Sequence, residues 1–174
     1  MPALGARWSG CAKTTPSIRG MAPGVALLAA GIPIGIGSDS HVSVSPSEEL
    51  RLLEYAQRIA ARKRNVLVSD LHPSTGERLF AAVLSGGAQA LGRPVGPVAP
   101  GARADWVVLD PEHPSLVGKP LERVLDAWVF CNHGNPVDSV MVGGRWVVQG
   151  GRHREHDAAR TAFASTMNRL RNRS

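Results

Sequence analysis

An apolar run, Ile32 to Ile36, leads into Gly37-Ser38-Asp39-Ser40-His41, and Ser45-Pro46-Ser47-Glu48 follows within a few residues. No other stretch constrains the chain as much. Ile32, Ile34 and Ile36 are β-branched and suit a buried strand, and Gly35 and Gly37 would let neighbouring backbone come close. A strand is therefore expected over Pro33–Gly37. Ser45 can cap a helix, Pro46 suits the first helical position and Glu48 completes a capping box, so a helix is expected from there to about Arg64. Upstream, Ala22–Ala30 can form a short helix with Pro23 in its first turn and Gly31 as its stop. Helix, buried strand, helix is an α/β cadence. Asp39 then falls at a strand's C-terminal end, where parallel α/β barrels place catalytic groups. The competing reading is that a lone Asp after a strand caps the turn. His41, two residues on, could join Asp39 at a metal, although Asp-x-His by itself does not make a metal site.

Along the helix that follows, Leu52, Tyr55, Ala56 and Ile59 share a face at spacings of three and four and are expected inward. Glu54 and Arg58 form a favourably oriented pair four apart. Arg62-Lys63-Arg64 meets the negative end of the helix dipole. Ser74-Thr75-Gly76-Glu77 repeats the capping pattern and predicts a helix to about Ser85, with Leu79, Phe80, Val83 and Leu84 as its apolar face. Gly86-Gly87 should stop it, with one further turn over Ala88–Leu91. After Gly92 the period changes. Strands are expected at Asp105–Asp110 and Val124–Cys131, the latter with Ala127, Val129 and Cys131 alternating against Trp128 and Phe130. Val137–Val142, Gly143-Gly144 and Arg145–Gln149 read as a hairpin. Residues 155–171 predict a final helix with Ala159, Ala162, Phe163 and Met167 inward. The expected organisation is an irregular or displaced start over 1–20, an α/β part over 21–92, and a β-rich segment with a C-terminal helix over 93–174.

Composition narrows the class of function. The net charge of +6 and pI near 10.3 raise nucleic acid as a partner. The basic residues are scattered or gathered near the end, however, and at 5% aromatics there is little to stack on bases, so nucleic acid is set aside. Cys11 and Cys131 lie far apart with no Cys-x-x-Cys, which suits free thiols in a reducing cytoplasm rather than a disulfide scaffold or zinc knuckle. The run Gly24–Ala30 is cut by Gly31 and Pro33, and nothing approaches the ~20 apolar residues of a membrane span. A cytoplasmic protein without a membrane partner is expected.

The stretch Gly35-Ile36-Gly37-Ser38-Asp39-Ser40-His41-Val42, followed by Glu48-Glu49-Leu50-Arg51-Leu52-Leu53-Glu54-Tyr55-Ala56-Gln57-Arg58 and Arg64-Asn65, resembles the last barrel strand and last barrel helix of the formimidoylglutamate deiminase family, within the amidohydrolase superfamily. Gly86 to Gly92 and Gly101 to Asp110 look like the superfamily's return into its small β-domain, and Val140 to Val148 resembles its closing hairpin. The resemblance covers roughly residues 24–170. It implies an α/β fold: the C-terminal part of a metal-dependent (β/α)8 barrel, then a small β-rich composite-sandwich segment and a C-terminal helix. It also implies one zinc, held by a His-x-His, a further histidine and the aspartate of the last strand, which by position is Asp39. That residue would ligate zinc and shuttle a proton. Zinc would bring its bound water to a pKa near 7, and the carboxylate would carry a proton from that water to departing ammonia. The implied reaction converts N-formimidoyl-L-glutamate and water to N-formyl-L-glutamate and ammonia, a C–N hydrolysis in histidine degradation.

The chain departs from the family in one direction. No His-x-His occurs, and the histidines at 72, 113, 133, 153 and 156 lie where surface or structural roles are expected. The first six or so barrel strands are absent, with three metal ligands and most substrate contacts. The family's acidic, Gly-containing loop is echoed only faintly by Cys11–Pro23, which carries no acid. The expectation is a fragment, inactive alone, whose substrate-binding residues are unknown. Its expected partners are a small-molecule substrate and either further copies of itself or the missing N-terminal portion of the barrel. The alternatives are another deaminase of the superfamily or a non-catalytic β-rich interaction fragment.

Overall fold

The computed structural model describes residues 23–38, 42–70, 72–93, 95–131 and 134–172. In chain order these form α1 (Gly24–Ala29), α2 (Pro46–Ala61), α3 (Thr75–Leu91), β1 (Trp106–Leu109), a 3₁₀ turn (Leu121–Arg123) running into α4 (Val124–Phe130), β2 (Val137–Val142), β3 (Arg145–Gln149), β4 (Arg152–His153) and α5 (His156–Arg171). They divide into two compact units. The described residues up to Ala102, with Pro111–Gly134, form a helical unit; Arg103–Asp110 and the described residues from Asn135 onward form a sheet unit.

In the helical unit α1 starts after Pro23, whose carbonyl accepts from Leu27 N–H at 3.0 Å, and ends at Gly31 with φ +65°. α1 lies on α2 through Gly24, where a Cβ would sit 3.3 Å from Leu53 Cδ1 and 3.4 Å from Gln57 Cδ. The segment Pro33–Gly37 forms no regular element and pairs with no strand among the described residues, so the strand expected there is not formed among them. A ladder needs neighbouring strands, and the described residues supply none beside it. Instead this segment crosses α3. Ile34 is buried, and a Cβ on Gly86 would meet the Ile34 carbonyl oxygen at 2.0 Å.

That contact corrects two expectations. Gly86-Gly87 does not stop α3, which runs on to Leu91 and is capped by Gly92 at φ +61°. Gly86 admits neighbouring backbone, whereas among the described residues nothing approaches the Cβ position of Gly35 within 4 Å.

The start of α2 is as expected: Ser45 is extended, its Oγ accepts from Glu48 N–H at 3.4 Å, and Pro46 is the first helical residue. The helix ends three residues early, with Arg62 in the left-handed region at φ 52° as its cap. The inward face also differs. Leu50, Leu53, Glu54 and Gln57 are buried, while Ile59 is 75% exposed and Tyr55 39% exposed. Two stripes of α2 fit a helical period, and the buried one includes polar residues that hydrophobicity alone discards.

The strand expected at Val124–Cys131 is the helix α4. Short apolar runs fit either period. Here Ala127, Trp128 and Val129 are buried consecutively as α4 packs against both α2 and α3. Trp128 meets Phe80 edge-on at 5.7 Å, and Phe130 stacks on Tyr55 at 5.9 Å. Asp126 Oδ1 accepts from Gly76 N–H at 2.7 Å in the first turn of α3. Gly76 cannot carry a side chain there, because a Cβ would lie 2.6 Å from the Leu125 carbonyl carbon and oxygen. Ile34, Leu50, Leu53, Leu67, Leu79 and Leu116 complete this core.

The sheet unit is a four-stranded antiparallel sheet in the order β1-β2-β3-β4. Trp106 faces Met141, Val107 faces Val140, and Met141 faces Trp146. The hairpin turns at Gly143-Gly144 with φ +56° and +80°, the positive values a two-residue turn requires. Asp105 Oδ1 pins it by accepting from Gly143 N–H at 2.7 Å. α5 forms where a final helix is expected, yet none of its residues is buried, and Phe163 is 68% exposed. The expectation that Ala159, Ala162, Phe163 and Met167 face inward is therefore corrected: nothing described in this chain covers them.

Candidate functional site

Asp39 and His41 lie outside the described residues, so the structure reports only what flanks them. On the upstream side the segment Pro33–Gly37 is held by the packing of Ile34 over Gly86. On the downstream side Ser43 Oγ donates to the Glu48 carboxylate, Ser45 and Ser47 hydroxyls are 3.1 Å apart, and the first turn of α2 is capped by Ser45. Glu49, in the same turn, is buried. The chain on either side of Asp39 is thus anchored to α3 at one end and to the start of α2 at the other.

Among the described residues no group of three or more His, Cys, Asp or Glu could hold a metal ion. They do not by themselves fit the zinc that the resemblance implies. Three of the four described histidines have local roles, and His156 is exposed at the start of α5. His72 and Ser69 exchange backbone hydrogen bonds, the Nδ1 of His113 accepts from Ser115 N–H at 3.2 Å, and that of His153 accepts from Glu155 N–H at 3.1 Å. Cys131 is an exposed free thiol.

The best-organised polar cluster in the helical unit is built around Glu54 and Arg58, the pair expected from their spacing of four. Glu54 is fully buried. Its Oε1 accepts from Arg58 Nε at 2.7 Å and Val66 N–H at 2.9 Å, and its Oε2 from Leu67 N–H at 3.0 Å. The Arg58 guanidinium also donates to Asn65 Oδ1 at 3.0 Å and lies 5.1 and 5.2 Å from the ring centres of Tyr55 and Phe130. Arg78 donates to the Leu67 and Val68 carbonyls. A cleft of about 240 Å³ opens beside the cluster, lined by Tyr55, Arg58, Asn65, Thr75, Arg123 and Asp126. Its charges are matched, since Arg58 pairs with Glu54 and Arg123 with Asp126 at 3.1 Å. The cluster secures the turn after α2. The signal that could have found it is the turn itself, whose buried N–H groups need an acceptor.

Residues 3–147 match the amidohydrolase family, and the chain belongs to that family of metal-dependent enzymes. It is 48% identical over 151 residues to formimidoylglutamate deiminase of Pseudomonas aeruginosa, covering 87% of this chain and 33% of that protein. An amidohydrolase structure from Brucella melitensis superposes with a TM-score of 0.76 at 44% identity, over 87% of this chain and 33% of that one. Atrazine chlorohydrolase from Arthrobacter aurescens, complexed with zinc, superposes with a TM-score of 0.67 at 26% identity, over 85% of this chain and 32% of that one. The chain thus spans about a third of the length of the relatives it matches. No described helix is long and apolar enough to cross a membrane.

Proposed function

We propose that the chain is the C-terminal portion of a cytoplasmic, zinc-dependent amidohydrolase of the formimidoylglutamate deiminase type. In this reading residues 21–92 end a (β/α)8 barrel, and residues 93–174 belong to a small β-rich composite-sandwich segment with its C-terminal helix. The reaction is conversion of N-formimidoyl-L-glutamate and water to N-formyl-L-glutamate and ammonia in histidine degradation. Asp39 is the residue through which this chain takes part, as one carboxylate for zinc and for proton transfer. The observation that carries the reading is the 48% identity across 87% of the chain. The anchored flanks of Asp39 and the zinc bound in a structural relative support it. The other ligands and the substrate contacts come from outside these residues, so the chain alone is inactive.

The test has two arms. Metal analysis of the purified chain should find far less than one zinc per molecule, and ammonia release from N-formimidoyl-L-glutamate should be absent. Co-refolding with the part of the P. aeruginosa relative that lies outside the match should restore ammonia release, and Asp39→Asn in this chain should abolish it. Stoichiometric tight zinc in the chain alone would overturn the expectation of an incomplete site. Activity that survives Asp39→Asn would remove Asp39 from its role.

A further inference from the structure

Residues 42–45 lead from His41 into α2 and sort their side chains against hydrophobicity. Val42 is 98% exposed and Val44 85%, whereas Ser43 and Ser45 are half-buried. The inward polar positions continue into the first turn of the helix, where Ser47 and Glu49 are buried. A stretch that exposes its valines and turns its hydroxyls inward breaks the pattern by which cores form, and such local conflicts concentrate at functional sites.

The hydroxyls have defined tasks. Ser45 Oγ accepts from Glu48 N–H at 3.4 Å and caps α2. A capping box would then return the Glu48 carboxylate to the Ser45 N–H. Here that carboxylate reaches further back along the chain and accepts from Ser43 Oγ. The helix start is complete without this bond, since Ser45 and Pro46 provide it. What the bond ties down is the incoming chain, a few residues past Asp39.

We infer that Glu48 is a positioning residue for Asp39: through Ser43 it fixes the backbone that leaves Asp39, and so sets where that carboxylate lies. Upstream, the packing of Ile34 over Gly86 fixes the chain on the other side. With one of these two ends released the carboxylate can shift, and a displacement of about 1 Å at a reacting group costs on the order of a hundredfold in rate. The consequence for reaction rests on the proposed function; the restraint on the chain does not.

Two measurements test it. Backbone relaxation by NMR on the full 174-residue chain reads the restraint directly. Order parameters at residues 42–44 should fall in Ser43→Ala and in Glu48→Ala, toward the flexible range below about 0.6, and Ser43→Thr, which keeps the hydroxyl, should hold the values of the unaltered chain. Ser43 lies outside α2, so Ser43→Ala leaves the helix cap in place. Kinetics on the chain co-refolded with the part of the P. aeruginosa relative outside the match reads the consequence. There kcat should drop about tenfold in Ser43→Ala while KM stays within about twofold, and Ser43→Thr should recover most of the loss. Unchanged order parameters in both alanine variants overturn the inference. So does a rise in mobility with kcat unchanged, which would make the bond a structural tie alone. A co-refolded complex that releases no ammonia even without substitution overturns the proposed reaction, and the order parameters then decide the restraint by themselves.

Discussion

The helical unit and the sheet unit are made from the same kinds of residue and differ in where those residues sit. The helical unit buries Leu50, Leu67, Leu79 and Val129 almost completely and hides a charged Glu54 with every contact satisfied. In the sheet unit only Pro136 is buried among the described residues, although Trp106, Val107, Val108, Trp146, Phe163 and Met167 offer ample apolar surface. One unit has its own core. The other has correct hydrogen bonding, turn chemistry and register without one. Secondary structure can be specified locally; a core requires something on the other side.

The largest expected effect that would break this contrast is Glu54→Ala. It leaves Val66 and Leu67 N–H and the Arg58 guanidinium without their acceptor, and loss of one partner from a buried charged pair costs about 3–5 kcal/mol. Arg58 is 26% exposed, which puts the cost at the lower end of that range. Urea unfolding followed by circular dichroism should show the midpoint fall sharply; an unchanged midpoint would mean that the helical unit does not depend on this cluster. Next is Gly86→Ala. The added Cβ must displace the Ile34 backbone, and overpacking of this kind costs about 1–3 kcal/mol even though alanine is the better helix former. A stabilised variant in the same assay would show that the Ile34 backbone does not restrict this position to glycine. The smallest effect is Phe163→Ser in α5, which should shift the midpoint by no more than about 0.5 kcal/mol, as for exposed sites in general. A large loss there would show that the sheet unit has a core after all.

The capped starts at Ser45 and Ser74, the stop at Gly31 and the two-glycine hairpin were legible because each depends on residues a few positions apart. Asp39 was legible as a candidate from its place after an apolar run, and its surroundings were not, because a metal site is assembled from distant parts of a chain. Val124–Cys131 was misread because Ala127, Trp128 and Val129 fit either period, and only packing against α2 and α3 decides between them. The pair Glu54–Arg58 was read from spacing alone, which carries no information about the turn that closes over it.

The amino-acid sequence by itself determined the helix starts, the hairpin and the family resemblance, since capping, turn geometry and motif identity are properties of neighbouring residues. Tertiary structure alone decided which stripe of α2 is inside, why α3 continues through Gly86, and that Glu54 is a buried anchor. Each depends on backbone from elsewhere in the chain, and burial is a property of what lies opposite a residue. The same reason leaves β1 and α5 uncovered: their apolar residues are written in the sequence, and the surface that would bury them is not among the described residues of this chain.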